Sequence, residues 1–202
     1  MTDEVVDRPE LDTARALRPF LVVASVVAVM WAVELIDLLP STDFDRWGIR
    51  PRRLTGLTGV VFAPFLHAGF GHLLANTLPL LVLGTLVALH GRATFWRVTA
   101  LVVLLGGFGT WLISSPGSVT IGASGLVFGY LGYLLVAGLR TGYWRDLLTG
   151  VIVLLLYGGL LIGALPWGVA AHVSWQAHLC GGIAGGVAAW WWPPKRPASR
   201  SR

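Results

Sequence analysis

The feature that most constrains this chain is a series of apolar runs, each close to 20 residues, separated by short polar connections. A hydrocarbon core of roughly 30 Å needs about 20 apolar helical residues to cross it, because lipid offers no partner for unsatisfied backbone groups. Six such runs are readable, at about 20–38, 69–89, 95–113, 123–139, 146–163 and 172–192. The expected fold is therefore an all-α membrane bundle of six transmembrane helices. The long connection 40–66, with Arg46, Trp47, Arg50, Arg52 and Arg53 among apolar residues, is expected to be a re-entrant or interfacial element. A composition 55% hydrophobic and 12% charged, with mean hydropathy +0.71, agrees with a lipid environment and excludes an ordinary soluble domain.

The net charge of +5 does not point to nucleic acid, since the basic residues gather at the ends and in the connections. Counted on alternate sides of six spans, eleven Lys and Arg fall on one side and four on the other, all four in the 40–66 loop. By the positive-inside rule both termini are expected in the cytoplasm. The division that follows is a cytoplasmic tail at 1–19, a six-span domain at 20–192 and a basic cytoplasmic tail at 193–202. The N-terminus mixes acids with arginines, unlike the basic region of a cleaved signal, so the first run is expected to stay as a helix. One cysteine, Cys180, excludes an intrachain disulfide and is expected to pack.

Polar residues inside such runs mark functional sites by default. Ser124, in Gly122-Ala123-Ser124-Gly125, and His178, in Ala177-His178-Leu179, are a candidate nucleophile and a candidate general base. A serine hydroxyl needs an adjacent neutral imidazole to take its proton. The run 123–139 covers only about 25 Å as a helix, so the outer end of this span is expected below the surface, with Ser114 to Thr120 dipping in as irregular backbone. His178 lies about 9 Å from the outer end of the sixth span, at similar depth. Gly181, Gly182 and Gly185 share the His178 face, and Gly125, Gly129 and Gly132 offer a matching small-residue surface for close helix approach. No acid lies at that depth, Glu34 and Asp37 belonging to the outer end of the first span, so the expectation is a dyad.

His72 and Asn76 lie four apart, on one helical face, and suit stabilisation of a developing oxyanion together with the Ser124 N–H. A zinc site is the competing reading of the histidines, but no Cys, Asp or Glu completes a shell. His67 is expected to anchor the 40–66 loop. His172, six residues from His178, points to another face and is expected to be interfacial. Trp175 and Trp190 to Trp192 read as aromatic-belt anchors, with Pro193 and Pro194 ending the last helix.

Taken together, His67, His72 and Asn76 in H-x4-H-x3-N spacing, G-x-S-G at Gly122 to Gly125, and A-H-x-x-G at Ala177, His178 and Gly181 resemble the rhomboid intramembrane serine proteases. Gly48 to Arg52 also resembles that family's loop between its first two spans. The resemblance implies Ser124 as nucleophile, His178 as general base, and an oxyanion site from His72, Asn76 and the Ser124 amide. It implies transmembrane protein substrates cut near the outer leaflet from a water-filled cavity open to the non-cytoplasmic side, without metal, ATP or other cofactor. It further implies a lateral gate near span five and the loop 164–171. Many relatives carry a tyrosine four residues after the serine, where this chain has Phe128: the supporting ring is kept and the hydroxyl is lost. The alternative is a catalytically inactive rhomboid-like protein that binds membrane clients. A transporter would need polar residues along a continuous path, whereas here they cluster near one side.

Overall fold

The computed structural model describes residues 9–142, 144, 147–148, 151–152, 155 and 174–194, with side chains from residue 16 onward. Helix α1 spans Pro9–Asp37, α2 Gly59–Phe62 and α3 Phe70–Leu89. Helix α4, Arg92–Leu101, runs through a π turn at Val102–Gly106 into α5, Gly107–Ile113, as one rod. Helix α6 spans Ser124–Thr141 and α7 Trp175–Trp191. No β-strand occurs among the described residues, where the nearest approach is one isolated antiparallel bridge, Ile49 with Thr120.

Four of these helical segments are long and apolar enough to cross a membrane: Ala16–Asp37, Phe70–Leu89, Arg92–Ile113 and Ser124–Thr141. Their starts and ends fall within about four residues of the first four apolar runs. The 17 residues of α7 reach about 26 Å and coincide with most of the expected sixth span. The expected fifth span at 146–163 lies largely outside the described residues, as do the loop 164–171 and His172. Leu21, Leu74, Leu78, Phe108, Leu112 and Ile183 point outward, giving the bundle the apolar exterior that lipid requires. The chain is an integral membrane protein.

Helices α6 and α7 form the most extensive helix pair. The buried residues of α7 recur at His178, Gly181, Ala184, Gly185, Ala188 and Ala189, a helical stripe of small side chains. Opposite them, Gly125, Gly129 and Gly132 face Gly181, Gly185 and Gly182. A Cβ on Gly181, Gly185 or Gly132 would overlap the facing backbone, so the helices touch main chain to main chain. The rod of α4 and α5 joins the same contact: a Cβ on Gly106, at the end of the π turn, would lie 3.2 Å from the Gly181 Cα. Cys180 packs as expected, its Sγ filling the space beside Gly109.

The 40–66 segment is folded, with short helical turns at Asp45–Trp47, Leu54–Gly56 and Ala63–Phe65 around α2. Arg52 N–H donates to the Trp111 carbonyl at 3.1 Å, its guanidinium to the Leu112 carbonyl at 2.8 Å, and Trp111 Nε1 donates back to the Arg53 carbonyl at 2.9 Å. These bonds clamp the loop to the end of α5. At its far end, Ile49 and Thr120 exchange backbone hydrogen bonds of 2.9 and 3.0 Å, and Gly122 N–H donates to the Ala63 carbonyl at 2.8 Å. The loop therefore grips the irregular segment leading into α6 from both sides.

Candidate active site

Ser124 is the first residue of α6. Its predecessor Ala123 takes the N-cap position and has no side chain to bond the helix start. The first N–H groups of a helix have no intrahelical acceptor. Ser124 N–H and Gly125 N–H are accordingly without a backbone partner among the described residues. They stand at the positive end of an 18-residue helix, where negative charge is favoured. Ser124 itself is half-buried, so its hydroxyl remains accessible.

The glycine before the cap is required by conformation. Gly122 has φ +108°, and a Cβ there would lie 2.6 Å from Cε1 and 2.8 Å from Nε2 of His72. The His72 ring thus rests directly on the backbone two residues before Ser124. Ala68 N–H contacts His72 Nδ1 at 3.5 Å, so Nδ1 accepts and the neutral ring carries its proton on Nε2, the nitrogen facing Gly122. Asn76 is buried one turn further along α3, and its Nδ2 donates to the His72 carbonyl at 2.9 Å. One amide hydrogen is used there and the second is left for another acceptor.

His67 was expected to anchor the loop that precedes it; its ring also reaches forward, to the segment before α6. Its Nε2 accepts from Ala123 N–H at 3.4 Å, so it holds the residue before the serine, while the loop end is held through Ala63. Burial first, and then the nearby His72, lower its pKa from 6.5 to about 4. Neutral His67 can accept from an amide; protonated His67 cannot.

His178 lies in the first turn of α7. Ser174 caps that helix by accepting from Ala177 N–H at 3.3 Å and contacts Thr120 Oγ1 at 3.4 Å, tying the α7 start to the segment before Ser124. The His178 ring stacks on Phe128 with centroids 4.1 Å apart and planes inclined by 11°. Ser124 and Phe128 are four apart on α6 and share a face, so His178 packs along the stripe that carries the serine. No partner reaches its buried Nδ1 among the described residues, and no group of acids and histidines there could hold a metal. A small, mainly apolar cavity of about 40 Å³ lies beside the pair, with Ala63, Thr110, Gly122, Gly125, Ala177 and Gly181 among its walls.

Sequence reasoning missed Ala68, Thr120 and Ser174, whose contributions are made by backbone groups or small hydroxyls in irregular segments. None of them stands out by residue type.

The fold and this constellation define a class: a polytopic helical membrane protein with a serine at one helix start and a histidine on the facing helix. Comparison with known proteins gives the family. The Rhomboid domain model matches residues 54–194, and the chain belongs to the rhomboid family. It is 51% identical over 174 residues to an uncharacterized Mycobacterium tuberculosis protein, covering 83% of this chain and 72% of that one. An uncharacterized Mycobacterium leprae protein is 47% identical over 91% of this chain and 76% of its own length. A Bacillus subtilis protein provisionally named a rhomboid protease, YdcA, is 28% identical over 83% of this chain and 87% of its own.

Proposed function

We propose that this protein is an intramembrane serine endopeptidase that hydrolyses peptide bonds in or near transmembrane segments of other membrane proteins. The observation that carries the reading is the stack of His178 on Phe128, one turn along α6 from Ser124, in a helix pair brought together by Gly125 and Gly181.

In this reading Ser124 Oγ attacks the scissile carbonyl while its proton passes to His178. The developing oxyanion is met by Ser124 N–H at the positive helix end, by His72 Nε2–H and by the free amide hydrogen of Asn76. Collapse expels the amine, which takes the proton from His178. Water, deprotonated by His178, then releases the acyl group and restores the serine. The orphan Nδ1 of His178 supports a dyad: the imidazole is held by ring stacking instead of a carboxylate. His67 and Gly122 support the site by setting the backbone before Ser124. Both termini lie in the cytoplasm in this arrangement, with the site opening to the other side.

The test is cleavage of a membrane-embedded reporter in liposomes. Ser124→Ala and His178→Ala should each lower turnover by about 10⁴-fold or more while the protein remains folded. Wild-type turnover in either variant would remove that residue from the mechanism. A fluorophosphonate should label wild type at Ser124; no labelling of folded wild type would favour the client-binding reading.

A further inference from the structure

The last turn of α7 lacks its own hydrogen-bond donors. A helix carbonyl is ordinarily met by the N–H four residues further on, and for Ala189 and Trp190 those residues are Pro193 and Pro194, which have no N–H. Both carbonyls are met from α6 instead. Arg140 Nη1 donates to the Ala189 carbonyl at 3.0 Å and to the Trp190 carbonyl at 2.8 Å, one hydrogen to each. The guanidinium carbon lies 4.2 Å from the centre of the Trp190 ring. Two turns earlier on the same face of α6, the buried Tyr133 donates its hydroxyl to the Trp192 carbonyl at 3.0 Å. Arg140 also lies in the last turn of α6, so its charge offsets the negative ends of both helices.

A cap supplied by a neighbouring helix also limits how far the two helices can slide. The seam between α6 and α7 is lined by Gly125, Gly129 and Gly132 against Gly181, Gly185 and Gly182, which allow close approach but carry no side chains to resist an axial shift. Moving α7 by one residue, about 1.5 Å, would carry the Ala189 and Trp190 carbonyls out of hydrogen-bond range of Arg140. Ser124 opens the helix that ends beside Arg140, and His178 lies on the same rod as Ala189, eleven residues or about 16 Å away. The same two helices therefore carry the candidate dyad at one end and the Arg140 clasp at the other.

We propose that Arg140 is a positioning residue for His178: by holding the two carbonyls that Pro193 and Pro194 leave without donors, it fixes the axial register of α7 on α6 and so the height of His178 against Ser124. The role rests on the reading of Ser124 and His178 as a dyad. It places Arg140 in contact with neither substrate nor the reacting atoms. Capping alone would stabilise α7 without setting its register, and the test must separate the two effects.

The experiment compares Arg140→Met, Arg140→Lys, Pro193→Ala/Pro194→Ala and the triple variant Arg140→Met/Pro193→Ala/Pro194→Ala, each in the full chain in detergent. Melting temperature and reporter kcat and KM are measured alongside proton NMR of the imidazoles, tractable with five histidines in the chain. The His178 ring protons report position directly, because the face of Phe128 shields them. Arg140→Met should melt earlier, lose about tenfold in kcat at unchanged KM, and shift the His178 ring protons downfield. Arg140→Lys keeps the charge without the planar fork, should show the same changes to a smaller degree, and serves if the methionine variant does not fold. The alanine pair gives both carbonyls N–H donors within α7 and by itself should leave kcat within about twofold of wild type. In the triple variant α7 caps itself, so the melting temperature should recover while kcat stays low and the His178 protons stay shifted. Recovery of all three together would make Arg140 a cap only and overturn the proposal. Wild-type kcat and His178 shifts in the folded methionine variant, or in the lysine variant if the other does not fold, would overturn it too. The NMR shifts decide it even if Ser124→Ala retains full turnover and the protease reading itself falls.

Discussion

Gly125 and Gly181 meet backbone to backbone: the carbonyl of Gly125 occupies the space that a side chain on Gly181 would need. One helix turn away the same relation holds between Gly129 and Gly185. Gly182, the next residue on α7, has only an ordinary contact 3.8 Å from its would-be Cβ.

Gly181→Ala should therefore force α6 and α7 apart, with overpacking costing about 1–3 kcal/mol and a large fall in activity as His178 leaves the serine. Gly182→Ala should be nearly silent in both. Thermal unfolding in detergent and reporter cleavage of the two variants check the contrast; equal effects would mean that the glycine contact does not govern the approach.

Gly122 carries two separable demands, positive φ and a side-chain-free surface for His72. Gly117 carries only the first: its φ is +84° and nothing lies within 4 Å of its would-be Cβ. Both alanine variants should lose about 1–3 kcal/mol of stability through backbone strain. Only Gly122→Ala should also displace His72 and lower kcat, by about 10² if the oxyanion donor is lost. Steady-state kinetics beside melting curves separate the two effects.

Phe128 supports His178 through its face alone, since the centroids are 4.1 Å apart and nearly parallel. Phe128→Tyr keeps the ring and should stay within about threefold of wild-type kcat; Phe128→Ala removes the support and should cost about 10² at similar KM. A Phe128→Tyr rate well above wild type would show that the hydroxyl matters to this site.

Protonation of His67 gives a pH dependence of stability. Its folded pKa of about 4 lies below the ordinary 6.5, so between those values the unfolded chain binds the proton and the folded one does not. Its unfavourable contribution is absent above pH 6.5 and grows as pH falls to about 4. Wild-type melting temperature should decline over that window, and His67→Asn should flatten the decline. An unchanged slope in the variant would show that His67 does not carry the effect.

The readable part of this site was the part made by spacing along a helix. His72 with Asn76, Ser124 with Phe128, and the glycines of α6 and α7 each recur at helical intervals, so a shared face follows from the sequence alone. Contacts between segments remote in sequence left no such trace. The bridge of Ile49 with Thr120 and the bond from Ala123 N–H to His67 join backbone groups, which every residue type possesses. Glu34 was visible as an acid near a helix end, but its burial depends on how α1 packs against α3. The π turn at Val102–Gly106 was equally hidden, because its apolar residues suit ordinary helix just as well.

The order of the helices along the chain has a consequence for synthesis. Ser124 emerges with α6, but the histidine that would activate it arrives only with α7, the last described helix, and its ring is oriented by docking on Phe128. In the proposed mechanism, a chain still leaving the ribosome holds an inert serine. In that mechanism, activation of the serine waits for α7 to close onto α6 and dock its histidine on Phe128.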